Sequence, residues 1–203
     1  MAHYELDLPV TEAQVRSLRV NDTVTLHKTL YGVRDATLIH IFDRGRTTRF
    51  VLAGHAVIHT APNVKKVAKS PEAPTGYAPV CIGTTTSARM ERFTRPLMAQ
   101  CGVRIIIGKG GLGAASLTAF GELGGAYLAI IGGAAALETT WVDGIEDVDL
   151  DDLNPESLWK FRVSGFGPLR VAMDSHGANL YAQVNEAAQS KRAAALARLG
   201  VKG

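Results

Sequence analysis

Apolar residues along this chain follow two rhythms, one of strands and one of helices, and the balance between them shifts near residue 88. In the first third, residues 23–30 alternate apolar and polar side chains, which predicts a strand buried on one face. Short apolar runs at 50–52 and 56–59, bounded by Gly54 and Pro62, predict further strands, and 35–42 predicts a short helix opened by Asp35. Residues 61–79 carry four prolines and the lysines 65, 66 and 69. They predict an extended excursion over the surface, not a linker between domains. Beyond it, Met90, Phe93, Leu97 and Cys101 recur at helical spacing, so 88–101 is expected to be a helix with Thr86 or Ser87 as its N-cap. A buried strand at 103–107, a helix at 112–123 and a buried strand at 126–131 follow. This βαβα order predicts parallel pairing, whose strands read as nearly continuous apolar runs. Strands are expected again at 158–163 and 169–173, after an acidic stretch at 146–152, and a helix at 179–199 ends the pattern. There is no internal repeat.

With 203 residues, 46% hydrophobic and 20% charged, the chain is long enough for one sizeable core and is expected to be one domain over 1–203. A net charge of +3 on scattered basic residues, with 6% aromatics, argues against nucleic acid as a partner. No apolar run reaches the ~18 residues of a membrane span, and Met1-Ala-His-Tyr-Glu5 has neither the basic head nor the apolar stretch of a signal peptide. A cytoplasmic location without membrane contact is therefore expected. Cys81 and Cys101 match no zinc or disulfide spacing, and two thiolates are too few for an iron–sulfur cluster of their own.

The candidate chemistry lies at two strand-to-helix junctions, Gly83-Thr-Thr-Thr-Ser-Ala-Arg89-Met90 and Gly108-Lys109-Gly110-Gly111. Adjacent junctions of an α/β sheet bring such hydroxyls and cations together, and helix N-termini there are expected to cradle a small anion with free N–H groups. The string from Gly108 to Gly113 fits GxGxxG, yet the next strand ends Ile130-Ile131-Gly132-Gly133 without the acidic residue a dinucleotide ribose needs. A P-loop would require glycine at Val103 and a hydroxyl at Gly110. What survives is a glycine turn presenting Lys109. Arg89 is placed for a bidentate carboxylate contact, although an N-cap followed by a solvated arginine would leave the same sequence. Arg34 stands at an earlier junction of the same kind, where an ion pair with Asp35 is the simpler alternative. His55, His59 and His176 have no partners at metal-ligand spacing and are expected to be structural or surface residues.

Six segments occur in order: Arg34-Asp35, Thr85-Thr86-Ser87-Ala88-Arg89-Met90, Gly108-Lys109-Gly110-Gly111, Pro155-Glu156-Ser157-Leu158-Trp159, Phe166-Gly167-Pro168-Leu169, and Asp174-Ser175-His176-Gly177-Ala178-Asn179-Leu180. Together they resemble the β subunit of the iron–sulfur fumarate/tartrate dehydratases, equivalent to the C-terminal domain of class I fumarases. The resemblance covers nearly the whole chain. It implies an α/β fold, a swivelling β/β/α domain with a mixed sheet flanked by helices. It also implies a hydro-lyase active only with an α subunit, which holds a 4Fe–4S cluster through three cysteines and binds the substrate hydroxyl and carboxylate on its open iron.

On that resemblance Arg34, Arg89 and Lys109, with Thr86, bind the carboxylates of a small dicarboxylate. Lys109 also stabilises charge as it develops, and Thr85, four residues before Arg89, is the proton-abstracting hydroxyl. Such groups suit the chemistry, since removing a proton beside a carboxylate builds an aci-carboxylate dianion that nearby cations stabilise. A threonine serves as a base only if those cations and a dry site lower its pKa. The chain departs from the family pattern at Leu38, where a histidine is usual, at Thr84 in place of proline, and at Ala61, where a glycine is usual in an Ala-Gly-Pro turn. Retained cations favour a catalytic subunit; the departures favour a non-catalytic paralogue with an anion pocket. Malate or tartrate would suit the same cation set, and pairing of β chains or αβ units into homodimers is left open.

Overall fold

The computed structural model describes residues 1–130, 137 and 139–200. In chain order the elements are β1 (His3–Asp7), α1 (Glu12–Ser17), β2 (Thr23–Val33), α2 (Asp35–Phe42), β3 (Ala56–His59), β4 (Asn63–Lys66) and β5 (Tyr77–Cys81). A 3-10 helix, Ser87–Phe93, then runs into α3 (Thr94–Cys101). After it come β6 (Ile105–Gly108), α4 (Ala114–Leu123), β7 (Ala126–Ala129), β8 (Val142–Asp149), β9 (Leu158–Met173) and α5 (Leu180–Arg198).

Seven strands pair in the order β1-β2-β3-β6-β7-β9-β8, and a further pairing of β2 with β9 closes five of them, β2, β3, β6, β7 and β9, into a barrel. The apolar runs pair as expected: β2–β3, β3–β6 and β6–β7 are all parallel. β9 runs antiparallel to both β7 and β2 and shuts the ring. The result is an α/β fold with a mixed sheet and flanking helices. Along the parallel strands, side chains divide between two cores. Ala56, Ile58, Ile105, Ile107, Ala126 and Leu128 join Leu26, Leu30, Trp159, Phe161 and Phe166 on one face. Val57, Ile106 and Tyr127, on the other, meet Leu38, Phe93, Leu97 and Phe120 from the helices. Burial on both faces is why these strands are apolar throughout.

Several boundaries differ from the sequence expectation. The helix expected over 88–101 is two pieces, and Thr86 stands at its N-cap position without a side-chain capping bond. Ser87 is committed elsewhere. Residues 50–52 form no strand, because Phe50 packs its ring against Tyr31 at 5.6 Å as part of a loop. The excursion at 61–79 contains the antiparallel pair β4–β5. The acidic stretch lies mostly in β8, whose Asp147 and Asp149 face Arg49. The two strands expected at 158–163 and 169–173 are one, with Gly165 and Gly167 at positive φ between them. A side chain at Gly167 would stand 2.7 Å from the Val24 carbonyl, so the closest approach of β9 to β2 requires glycine. The expected strand end at Ile131 lies outside the described residues.

One buried polar cluster ties the strand ends together. Ser87 Oγ is hydrogen-bonded at 2.9 Å to both His59 Nδ1 and Tyr127 Oη. All three residues are buried. Beneath them β6 ends in Gly108, where a Cβ would stand 2.0 Å from Ser87 Oγ and 3.1 Å from Tyr127 Oη. Burial pushes the His59 pKa down to about 3 and raises that of Tyr127 above the usual phenol range, so both are neutral in the folded chain.

Two expectations follow. Gly108→Ala should destabilise the chain by about 1–3 kcal/mol through overpacking against a serine that hydrogen bonds hold in place, measured as a shift of the urea midpoint. Between pH 6.5 and about 3 the unfolded chain protonates His59 while the folded chain does not. Stability should therefore fall with falling pH over that window, by at most ~1.4 kcal/mol per pH unit from this group. His59→Gln should flatten the slope of unfolding free energy against pH, and an unchanged slope would remove His59 as its source.

Candidate active site

Three adjacent parallel strands end side by side, and two of them release a candidate residue at their C-terminal ends. β2 ends at Val33 before Arg34, β3 ends at His59 before Thr60, and β6 ends at Gly108 before Lys109. Ligand sites of parallel α/β sheets, open or closed into a barrel, gather at this edge, where the loops after the strand ends surround a crevice. The segment 83–87 runs across it. Thr60 donates its N–H to the Val33 carbonyl at 2.9 Å and its hydroxyl to the Gly83 carbonyl at 2.8 Å, and it bridges Thr84. Thr85 N–H donates to the His59 carbonyl at 2.7 Å, Thr86 bridges Lys109, and Ser87 N–H donates to the Lys109 carbonyl at 3.0 Å. The backbones carrying Arg34, Thr85, Thr86 and Lys109 are thus stitched along one rim. Arg89 joins them through its side chain.

Asp35 Oδ2 lies 3.5 Å from Arg34 Nε and 3.2 Å from Arg89 Nη2, so one carboxylate oxygen stands between both arginines. Glu156 Oε1 lies 3.4 Å from Arg34 Nη1, while its Oε2 accepts the Ala36 N–H at 2.8 Å. Arg34 borders a cleft of about 360 Å³ lined by Ala61, Pro62, Asn63, Val64, Asn154 and Pro155. Among the described residues, Lys109 makes no ion pair.

Several of the N–H groups expected to cradle an anion at helix N-termini are already taken. Glu91 fills the start of α4, its two oxygens accepting from Gly113 N–H at 2.7 Å and Ser116 N–H at 2.9 Å. Glu156 does the same for α2, and the N–H groups of Thr85 and Ser87 are spent on neighbouring strand ends. Positive charge at the rim therefore comes from side chains. The ion pair of Arg34 with Asp35 is present, and the arginine also faces the cleft.

Sequence reasoning missed Glu91 and Glu156 as caps and the cluster around Ser87. Glu156 lay inside a recognised segment, and its acidity next to a proline turn was the only signal. His59 gave none, since a lone histidine in an apolar strand reads as core. His55 Nδ1 donates to the Thr29 carbonyl at 3.2 Å, with its pKa lowered by burial, and the exposed His176 donates from Nε2 to the Arg16 carbonyl at 2.7 Å. Leu38 is fully buried in the helix-side core, Thr84 is buried, and Ala61 lines the cleft.

No three His, Cys, Asp or Glu side chains among the described residues come together as a metal-holding group, and Cys81 and Cys101 are free thiols. These donors do not fit an iron–sulfur cluster, which needs three or four thiolates. No helix among the described residues is long and apolar enough to cross a membrane.

Similarity to known proteins runs along the same span as the barrel and its rim. The chain is 35% identical over 179 residues to the L(+)-tartrate dehydratase subunit beta of Escherichia coli (strain K12), covering 88% of this chain and 86% of that one. It is 36% identical over 187 residues to a chain of Methanocaldococcus jannaschii provisionally named L(+)-tartrate dehydratase subunit beta, covering 90% and 93%. It is 35% identical, again over 187 residues, to a protein of Geobacillus stearothermophilus provisionally named class I fumarate hydratase, covering 92% of this chain but 35% of that longer one. The model of the fumarase C-terminus family matches residues 1–184, a span that takes in every strand and every rim residue described above, and the chain belongs to that family.

Proposed function

We propose that this chain is the β subunit of an iron–sulfur hydro-lyase that reversibly dehydrates a 2-hydroxydicarboxylate, converting malate to fumarate or tartrate to oxaloacetate. The observation that carries the proposal is the gathering of Arg34, Thr85, Thr86, Arg89 and Lys109 on one rim of parallel strand ends, in a chain whose relatives bear hydro-lyase names. A partner α subunit completes the enzyme and holds the 4Fe–4S cluster, because the cysteines here do not fit one. Departure of the hydroxyl belongs to that partner's side of the site.

This chain's part is binding and proton removal. Arg34 and Arg89 take one substrate carboxylate through their planar forks, which match carboxylate geometry. Lys109 faces the charge that builds up when the carbon-bound proton leaves, and its ammonium, which no carboxylate among the described residues neutralises, is available for that moment. Thr86, bridged to Lys109 along the backbone, contributes a hydroxyl beside the same carboxylate. Thr85, having given up its own hydroxyl proton under the influence of the neighbouring cations, receives the substrate proton as an alkoxide and returns to the hydroxyl. Its N–H is bonded to the His59 carbonyl, so the hydroxyl rides on a backbone segment that cannot drift relative to β3. Leu38 offers no imidazole, so no proton shuttle starts from α2 at that position.

Anaerobic co-expression with an α subunit, followed by assay of malate and the tartrate isomers, tests the proposal. Turnover should require both chains, and a stable cluster-loaded complex that turns over neither substrate would refute it. In the active complex, Lys109→Ala should lower kcat by about 100-fold or more, the loss typical of one group that stabilises developing charge. Melting should stay near wild type, since Lys109 makes no ion pair among the described residues. Thr85→Ala should lower kcat far more than it raises KM, and Thr85→Ser should recover part of the loss.

A further inference from the structure

Both arginines of the rim are held by carboxylates to which the proposed chemistry gives no task. Asp35 Oδ2 and Arg34 Nε are buried atoms that make no hydrogen bond, although they lie 3.5 Å apart. Their separations, 3.2 to 3.5 Å for the three contacts among Arg34, Asp35, Arg89 and Glu156, exceed the ~2.7–2.9 Å of a closed charge-assisted bond. Elsewhere in the same chain several arginine pairs close fully, Arg46 with Asp152 at 2.7 Å and Arg95 with Glu122 at 2.6 Å among them, although Arg104 and Glu12 stay at 3.1 Å; what sets the rim apart is that its long contacts leave buried atoms without hydrogen bonds. Those pairs lie outside the rim. Buried polar atoms left without partners are costly, by roughly 1–3 kcal/mol each, and call for an explanation.

Glu156 divides its two oxygens between different tasks. One caps α2 at Ala36, replacing the side-chain cap that Arg34 does not supply, and the other faces Arg34. The glutamate itself is held, because Thr37 Oγ1 donates to its carbonyl. Asp35 likewise begins α2 and shares one oxygen between two guanidinium groups that come from different strand-to-helix junctions. From this geometry we infer that Asp35 and Glu156 are positioning residues, which hold Arg34 and Arg89 as a jointly aligned pair while leaving their donors open to a substrate carboxylate. The inference rests on the proposed function for its substrate, but the alignment is testable without turnover.

Two conservative variants test it. Glu156→Gln keeps an acceptor for the Ala36 N–H and removes the charge facing Arg34; Asp35→Asn removes the shared carboxylate. In the assembled enzyme, each should raise KM for the diacid several-fold with a smaller change in kcat and near-wild-type melting, whereas Glu156→Ala should also lower the melting temperature through the lost cap. Independently of activity, modification of Arg34 and Arg89 by phenylglyoxal, followed by peptide mass spectrometry, should be several-fold faster in Glu156→Gln for Arg34 and in Asp35→Asn for both arginines. Unchanged labelling would overturn the inference, as would wild-type KM in an active complex. Altered melting alone, with labelling and KM unmoved, would reduce the carboxylates to helix caps and overturn it equally. If no complex turns over any diacid, the proposed function fails while the labelling rates still decide the alignment.

Discussion

The placement of the whole rim depends on one buried hydroxyl, Ser87 Oγ, set between His59 and Tyr127 above the bare α-carbon of Gly108. Three parallel strands supply its surroundings, and the 3-10 helix that begins at Ser87 starts where this hydroxyl is fixed. A buried serine without partners would cost roughly 1–3 kcal/mol, so the segment cannot slide along the strand ends without breaking two bonds at once. Because Thr85 and Thr86 lie within two residues of that anchor, their hydroxyls inherit its position. The same interaction explains why Thr86 makes no capping bond. Ser87, the other expected cap, is the key that locks the segment, and the chain accepts a 3-10 turn in place of a capped α-helix.

Much of the barrel was legible because its strands obey one rule. Runs such as Ile105-Ile106-Ile107 bury both faces, and only parallel strands covered on two sides need that composition. α2 was legible to the residue, over Asp35–Phe42. What escaped was everything whose partner is distant in sequence. β8 looked acidic because its aspartates pair with Arg49, nearly a hundred residues earlier, and no local pattern announces such a pair. The unity of β9 was hidden by Gly165 and Gly167, which read as breaks but serve as the bend that lets one strand reach both β2 and β7. Of the site, Arg34, Arg89 and Lys109 were visible as cations at junctions, whereas Glu91 and Glu156 were not. A glutamate capping another element's helix carries little sequence mark: Glu156 had only its acidity beside a proline turn.

Those glutamates change how anion binding at the rim has to be understood. A small anion gains about 0.3–1 kcal/mol from a helix terminus at an exposed position, while a hydrogen bond to a charged group contributes roughly 1.5–3 kcal/mol. Glu91 makes two such bonds to the start of α4 and is already tethered, so a free ligand that also gives up its translational freedom does not displace it. Helix dipoles at α2 and α4 thus stabilise the fold instead of the ligand. Recognition is left to side chains: two arginines held at long range and one lysine without an ion pair among the described residues.

The charges of that set define what the rim can do by itself. Arg34, Arg89 and Lys109 carry three positive charges, and Asp35 and Glu156 return two, which leaves one net positive charge facing the crevice. A diacid brings two negative charges, more than that one positive charge offsets, and proton removal concentrates further charge on the substrate while the proton itself stays on the rim. In a closed, dry site such an excess is expensive, since charges desolvated without partners cost several kcal/mol each. The imbalance is a reason for a second subunit that stands on electrostatics alone. A partner that contributed only walls would leave the diacid's excess negative charge uncompensated, so the proposed complex needs positive charge from the opposite side of the crevice. The rim residues described here would then fix one carboxylate and take up the proton, and the remainder of the charge would be met across the interface.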